Sequence, residues 1–233
     1  WPAPAGVSFL DSQLGFAVRR WCAPVLGLAP HAQPEEYLAR RRELGAAAVA
    51  RRFLRASGIG WFLVDTGYGP PGGLPPAELA ALAGARSAEV VRLESVAEEV
   101  AASGPTAGGF ADAFAAALDE RSRHAAGLKS VIAYRHGLDF DPEPPSPGEV
   151  RGAAGRWLGA GGRLTDPVLL RHLLWAGVER GLPLQFHVGY GDPDLTLHRS
   201  DPSLMTGFLH RTRDRGTPVM LLHCYPYHRN AGY

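Results

Sequence analysis

The chain has 233 residues, of which 45% are hydrophobic, and its formal net charge is +1 at pH 7. This length can bury a sizeable core, and the near-neutral charge argues against nucleic acid or an anionic membrane as a partner. Its two cysteines, Cys22 and Cys224, exclude a disulfide scaffold and a cysteine-rich zinc cluster, and they favour a cytoplasmic location. No apolar run reaches about 18 residues, so no membrane-spanning helix is expected.

The first segments of the chain are predicted to be helical. Apolar residues at helical spacing predict a helix over 8–28 that includes Leu14 and Trp21. A second helical pattern begins at Pro34 and runs to about residue 56, with a break near Gly45.

Beyond residue 58, short apolar runs alternate with helical patterns. The predicted strands are 59–64, 89–93, 128–134, 182–188 and 218–223. The predicted helices between them are 77–83, 95–102, 109–125, 148–159, 166–180 and 202–215. Residues 67–76 and 141–148 are predicted loops because they are rich in glycine or proline.

Repeated alternation of strand and helix requires a parallel sheet with helical crossovers. Neither Gly-x-Gly-x-x-Gly nor a Walker-type loop is present, which disfavours a nucleotide-binding fold. The pattern therefore predicts an α/β protein with a (β/α) barrel, incomplete because five strands cannot close an eight-stranded barrel. We expect residues 1–58 to form a helical segment packed on the barrel and residues 59–233 to form the partial barrel.

Both ends of the chain lead us to expect a fragment. The sequence begins with Trp1 rather than methionine. After the last predicted strand, residues 224–233 have the pattern of another loop and helix, but the chain stops before we expect a helix to form.

Two histidines, His187 and His223, end predicted strands that are 36 positions apart (223 − 187). This spacing suits one strand-helix-strand unit, so both imidazoles are expected at the edge of the sheet where α/β proteins bind ligands. A divalent metal such as zinc accepts neutral imidazole nitrogens. Each residue could instead be a hydrogen-bonded core or loop histidine, but two at matching positions indicate part of a metal site.

Lys129 lies within an apolar predicted strand, where an unpaired ammonium is costly. It could form an anionic carbamate with CO₂ and bridge metals. It could also act on substrate as a neutral or paired lysine, or extend its charged end to solvent.

Further candidates follow the predicted strands. Arg135 could bind a carboxylate or phosphate of a substrate, or it could be a structural arginine. Asp192 could orient substrate or a histidine, or simply form an Asp-Pro turn. Asp65, at the end of the first predicted strand, has the same two alternatives. The remaining substrate-binding candidates are Tyr134, Tyr190, His228 and Arg229.

The segments around Lys129, His187 and His223 together resemble the amidohydrolase superfamily, from about residue 8 to the end of the chain. The similarity is to the amidohydrolase-2 type, and in particular to the FluG-like domain fused to glutamine-synthetase-like modules. It implies a (β/α)8 TIM-barrel-like metal-dependent hydrolase fold of which about strands 2–6 are present. His187 and His223 would be metal ligands on the fifth and sixth strands, and Lys129 would occupy the fourth, where many members carry a carboxylated lysine. The first-strand His-x-His and the eighth-strand Asp of the family do not occur in this sequence, which fits either a trimmed chain or a barrel that has lost its metal.

The resemblance implies a metal-dependent hydrolase in which a divalent ion, by expectation zinc, activates water to attack an amide, ester or other C–N bond. Lys129 and Asp192 are its candidate catalytic residues, and the fragment by itself is expected to be inactive. Two alternatives stay open: a decarboxylase on the same scaffold, and a non-catalytic regulatory or binding barrel associated with a glutamine-synthetase-like domain. We expect a small-molecule substrate and allow for a homo-oligomer.

Overall fold

The computed structural model of the chain describes residues 5–69 and 73–233. Five strands form one sheet in the order β1 (Trp61–Asp65), β2 (Arg86–Arg92), β3 (Gly127–Ser130), β4 (Leu184–Val188) and β5 (Val219–His223). The pairings of β2 with β3, β3 with β4 and β4 with β5 are parallel. The predicted α/β class is therefore confirmed, with the strand order of an incomplete (β/α) barrel.

Helices precede, separate and follow the strands. They are α1 (Gln13–Val25), α2 (Pro34–Leu44), α3 (Ala46–Ala56), α4 (Pro76–Ala83), α5 (Leu93–Ala102), α6 (Phe110–Ser122), α7 (Ile132–Arg135), α8 (Pro147–Ala160), α9 (Pro167–Glu179), α10 (Thr206–Thr212) and α11 (His228–Gly232). None of them, within the described ranges, is long and apolar enough to cross a bilayer. Residues 70–72 of the predicted loop and residues 1–4 of the predicted N-terminal segment lie outside the described residues.

The chain divides into two compact units, and the domain boundary predicted after residue 58 stays a prediction. The first unit comprises the described residues of Trp1–Phe62 and Leu74–Ser87, and the second those of Leu63–Gly73 and Ala88–Tyr233. In the first unit, Leu26 and Tyr37 belong to a small buried core.

Gly45 divides the long helical pattern of the first unit into α2 and α3. Its φ of +76° lies in the left-handed region, which glycine adopts without steric cost. The break predicted near this residue is therefore confirmed.

The predicted helix over 8–28 is shorter in the structure. Ser12 caps α1 by accepting a hydrogen bond of 3.1 Å from the N–H of Gly15, so the regular helix begins only after residue 12. Leu14 and Trp21, both of the predicted apolar face, are 75% and 70% exposed. Helical spacing identified this helix but not its buried side.

The core of the second unit lies on one face of the sheet. Leu128 of β3 pairs with Leu184 of β4, and both are fully buried in a cluster that includes Phe114 of α6. Lys129 and Gln185 are the next pair along these strands. Because neighbouring residues in a strand face opposite ways, this second pair points away from the apolar core.

Strand β3 is shorter than the predicted strand over 128–134. The side chain of Glu94 accepts a 2.9 Å hydrogen bond from the backbone N–H of Val131, so that N–H does not extend the sheet. The chain ends β3 at Ser130 and enters the short helix α7 at Ile132. The apolar sequence of this segment was a misleading signal for strand.

Asp166 caps α9, because its carboxylate accepts hydrogen bonds from the N–H groups of Val168 and Leu169. The predicted helix over 202–215 is present as α10 with one 3-10 turn on each side. Contrary to expectation, the segment after β5 does form a short helix, α11.

Candidate functional site

A cavity of about 690 Å³ lies in the second unit, where strands β2 to β5 end. Lys129, Tyr134, His187 and His223 line it, each from the end of a strand or the turn that follows. The structure therefore brings together residues that the sequence places on three different strands.

The two histidines face each other although the sheet register alone would separate them. His187 pairs with Leu222, and His223 pairs with Val188, whose side chain is buried in the apolar core. Regular alternation would therefore turn His223 away from the cavity. The φ values of His223 and Cys224 are +70° and +58°, a left-handed backbone that costs a non-glycine residue about 1–3 kcal/mol. This turn brings the imidazole ring centroids to 4.9 Å from each other.

Both imidazoles have the charge state that a metal ion requires. Burial, together with the charges of His223 and Lys129, lowers the pKa of His187 to about 4. Burial and the charge of Lys129 also lower the pKa of His223. The Nε2 atom of His187 is buried without a hydrogen-bond partner. A neutral imidazole with an unused ring nitrogen facing a second one fits a divalent metal ion.

Tyr134 and Gly191 complete the surroundings of His187. The Tyr134 ring lies 4.5 Å from the His187 ring, and its hydroxyl oxygen accepts a 3.2 Å hydrogen bond from the backbone N–H of Asp192. Burial raises the pKa of Tyr134, so its hydroxyl keeps its proton. A methyl group on Gly191 would lie 2.2 Å from the Tyr134 hydroxyl and 3.0 Å from His187 Nε2, so only glycine fits. The contact from Asp192 comes from its backbone, not from the carboxylate that the sequence suggested.

Lys129 forms an ion pair with Asp65, with 3.2 Å between Nζ and Oδ2. Arg92 donates to the same carboxylate oxygen through Nε at 3.2 Å and through a terminal nitrogen at 2.5 Å. Although burial alone would raise the pKa of Asp65, the hydrogen bond and charge of Arg92 and the charge of Lys129 hold it below its usual value. Asp65 also accepts from the N–H of Gly67, so it forms a turn and supports the site.

Arg135 lines the cavity, but its guanidinium is engaged by Glu98 at 2.8 and 3.5 Å. Glu98 also accepts a hydrogen bond from the N–H of Leu164. At the rim, Arg163 pairs with Asp194 at 2.9 Å. A substrate anion would therefore have to share or displace these carboxylates to reach either guanidinium.

The other predicted substrate-binding residues differ in where they lie. Tyr190 lines the cavity and stacks on Tyr225, with both rings well exposed. His228 and Arg229 begin α11 and do not line the cavity. Four charged residues that line the cavity were not identified from the sequence. The signal that could have identified Arg92 was a charged side chain at a strand end. For the other three it was a charged side chain in a loop or helix beyond a strand. The four residues are Arg92, Glu98, Arg163 and Asp194.

The histidine pair provides only part of a coordination shell. Across residues 5–69 and 73–233, no three His, Cys, Asp or Glu side chains are grouped so that they could hold a metal ion. Among the described residues, His187 and His223 therefore provide two ligand positions of this kind.

A strand-end histidine pair in an incomplete (β/α) barrel is a partial site of the kind that holds a metal ion in such folds. A family model described as Amidohydrolase matches residues 64–230, and the chain belongs to this amidohydrolase family.

Two known proteins are similar to the chain. A crystal structure of a "putative metal-dependent hydrolase" from Lactobacillus casei ATCC 334 superposes with a TM-score of 0.78 and 31% sequence identity, covering 96% of this chain and 61% of that one. The protein fluG of Emericella nidulans is 35% identical over an alignment of 123 residues, and the match covers 46% of this chain and 14% of fluG. The chain thus spans less than two thirds of the length of either relative.

Proposed function

We propose that this chain contributes the metal-binding part of a metal-dependent hydrolase, with His187 and His223 as ligands of one divalent ion. The observation that carries the proposal is the pair of neutral imidazoles, 4.9 Å apart, of which His187 has a buried nitrogen without a partner. A buried polar atom without a hydrogen-bond partner costs free energy, and binding a metal ion would explain why this nitrogen has none. Imidazole ligands favour zinc among the common divalent ions, without excluding others.

The reaction we propose is hydrolysis of an amide, ester or other C–N bond in a small molecule. The bound ion would supply Lewis-acid chemistry and make water a nucleophile near neutral pH. A cavity of about 690 Å³ has the size of a small-molecule site, in the usual range of roughly 300–1,000 Å³. A cytoplasmic setting is part of the same proposal.

The residues around the ion would orient the substrate. Since the Tyr134 oxygen accepts from Asp192, its own proton is free to be donated to a substrate oxygen beside the histidines. Tyr190 offers an aromatic surface at the opening. Asp192 lines the cavity, and its carboxylate stays a candidate proton acceptor.

A second candidate, a binding barrel without catalysis, is favoured by one observation. The described residues provide no third His, Cys, Asp or Glu ligand beside the pair. A metal ion held by two imidazoles could bind a ligand without supporting turnover.

Zinc binding by the purified chain tests the proposal. We expect the His187→Ala and His223→Ala variants to lose at least about tenfold in zinc affinity, because even residues that merely support a ligand contribute about that much. His172→Ala is the matched control, since the Nε2 atom of His172 is also buried without a partner but His172 lies on α9 outside the cavity lining. Equal zinc affinity in wild type and both cavity variants would refute the metal site.

Hydrolysis itself is tested on the longest natural form of the protein with a panel of amides and esters. Zinc-dependent turnover that is absent in His187→Ala supports the enzyme. Tight zinc binding with no turnover of any member would favour the binding barrel.

A further inference from the structure

We propose that Lys129 remains an unmodified ammonium, paired with Asp65, and that it binds an anionic group of the substrate instead of holding metal as a carbamate. The inference rests on the proposed function, since it concerns the same cavity. It departs from the carboxylated lysine that the sequence resemblance suggested for this position.

Lys129 starts from a different level of the sheet than His187. Its backbone is level with Gln185, whereas His187 lies two residues further along β4. The lysine therefore starts one layer of side chains below the histidine. Its Nζ atom pairs with Asp65 of β1 at 3.2 Å. Strands β2 and β3 separate β1 from β4, so this pairing directs the amine toward β1, whereas the histidines lie on β4 and β5.

The charges around Asp65 also favour an unmodified lysine. Asp65 is shared by two cations, Lys129 and Arg92, and all three side chains are at most 18% exposed. One negative charge thus faces two positive charges, and the group keeps one positive charge in excess. A carbamate on Lys129 would place a second anion directly beside Asp65 and would break the ion pair.

The excess charge defines the ligand chemistry. Lys129 and Arg92 both line the cavity. A compact ammonium with a low exposed fraction binds a carboxylate more strongly than a fully solvated one, because less water screens it. The geometry therefore points to a substrate that carries a carboxylate.

The lysine content of the chain allows a selective NMR test. The sequence contains 24 Lys and Arg residues, and Lys129 is its single lysine. Protein labelled with ¹³C and ¹⁵N only in lysine therefore gives one side-chain amine signal. We expect that signal to have the shift of an ammonium and to move in Asp65→Asn.

Equilibration with ¹³C-bicarbonate and zinc gives the direct readout. We expect the carbamate region of the wild-type spectrum to be identical to that of Lys129→Arg, in which only the amino terminus can react. A carbamate signal that is present in wild type and missing from Lys129→Arg would overturn the proposal. The labelled wild-type protein alone also decides the matter, so a poorly folded variant does not block the test.

Two titrations test the role in binding. Acetate should shift the lysine signal to saturation in metal-free protein, and acetamide, its neutral analogue, should not; the absence of an acetate shift would overturn the anion-binding role. Lys129→Gln should bind zinc at least as well as wild type, whereas loss of a carboxylated ligand would weaken binding by about tenfold or more. Failure of wild type to bind zinc would refute the proposed function but would leave the lysine and acetate results interpretable.

Discussion

Glu94 is a buried carboxyl group whose pKa is raised in the folded protein. It is 1% exposed, and one of its oxygens accepts hydrogen bonds from the Ser130 hydroxyl at 2.6 Å and the Val131 N–H at 2.9 Å. Its other oxygen is buried without a partner. Burial raises the pKa of Glu94 above its ordinary value, and this effect exceeds the lowering by these hydrogen bonds.

Glu94→Gln and Glu94→Ala separate the charge from the hydrogen bonds. Alanine leaves the donors of Ser130 and Val131 buried and unpaired, at about 1–3 kcal/mol each. The expected loss is therefore about 2–6 kcal/mol, out of a total stability of about 5–15 kcal/mol for a typical domain. Glutamine keeps an oxygen at the accepting position and should cost much less.

The pH dependence has a definite sign. Because the pKa is raised in the folded state, the contribution of Glu94 to stability is fully present below the unfolded value and is lost as pH rises through the folded pKa. Glutamine does not titrate. The stability of Glu94→Gln relative to wild type should therefore improve by about 1.4 kcal/mol for each pH unit between those two values.

Urea denaturation at a series of pH values from below 4.5 to neutral measures both effects. Glu36→Gln, at an exposed position of α2, serves as the control for removing a negative charge. Parallel stability curves for wild type and Glu94→Gln would refute the raised pKa. A loss below about 1 kcal/mol in Glu94→Ala would contradict the expected cost of leaving the Ser130 and Val131 donors buried and unpaired.

Three further substitutions test packing. Gly191→Ala places a methyl group 2.2 Å from the Tyr134 hydroxyl. It should lower the free energy of unfolding by about 1–3 kcal/mol in denaturation experiments and weaken zinc binding. Gly148→Ala, where the methyl group would meet no atom within 4 Å, is the control and should change neither. Phe114→Ala, at a fully buried core position, should cost about 3–5 kcal/mol. Leu14→Ala, at a position that is 75% exposed, should change stability by less than about 0.5 kcal/mol, and a larger loss there would mean that this face of α1 is covered in solution.

The alternation of strands and helices was predictable because it follows from the sequence pattern of the buried apolar side chains. Leu128 and Leu184 lie in short apolar runs, and such runs between helical patterns indicate a parallel sheet. The end of β3 was not predictable, because Val131 and its neighbours continue the apolar run. The strand ends through a hydrogen bond from Glu94, which is 37 positions away in sequence. Local pattern holds no information about such a contact.

The candidate site was also predictable only in part. The spacing of His187 and His223 predicted that they would share an edge of the sheet, and the structure places them on neighbouring strands. Their approach to 4.9 Å depends on the left-handed backbone of His223, which histidine adopts rarely and which no local signal indicates. The partner of Lys129 was also hidden, because its pairing with Asp65 joins β3 to a strand two places away in the sheet.

The positive charge beside the histidines has a consequence for binding. The charge of Lys129 lowers the pKa of both imidazoles, so the same field must disfavour any cation bound to them, a metal ion included. A carboxylate near Lys129 would offset that repulsion. Zinc and acetate should therefore bind cooperatively, each raising the affinity of the other by the same factor. Calorimetric titration of zinc with and without acetate, corrected for binding of zinc by acetate in buffer, measures this factor. In Lys129→Gln the cooperativity should fall toward one, and equal cooperativity in both proteins would mean that the lysine does not couple the two ligands.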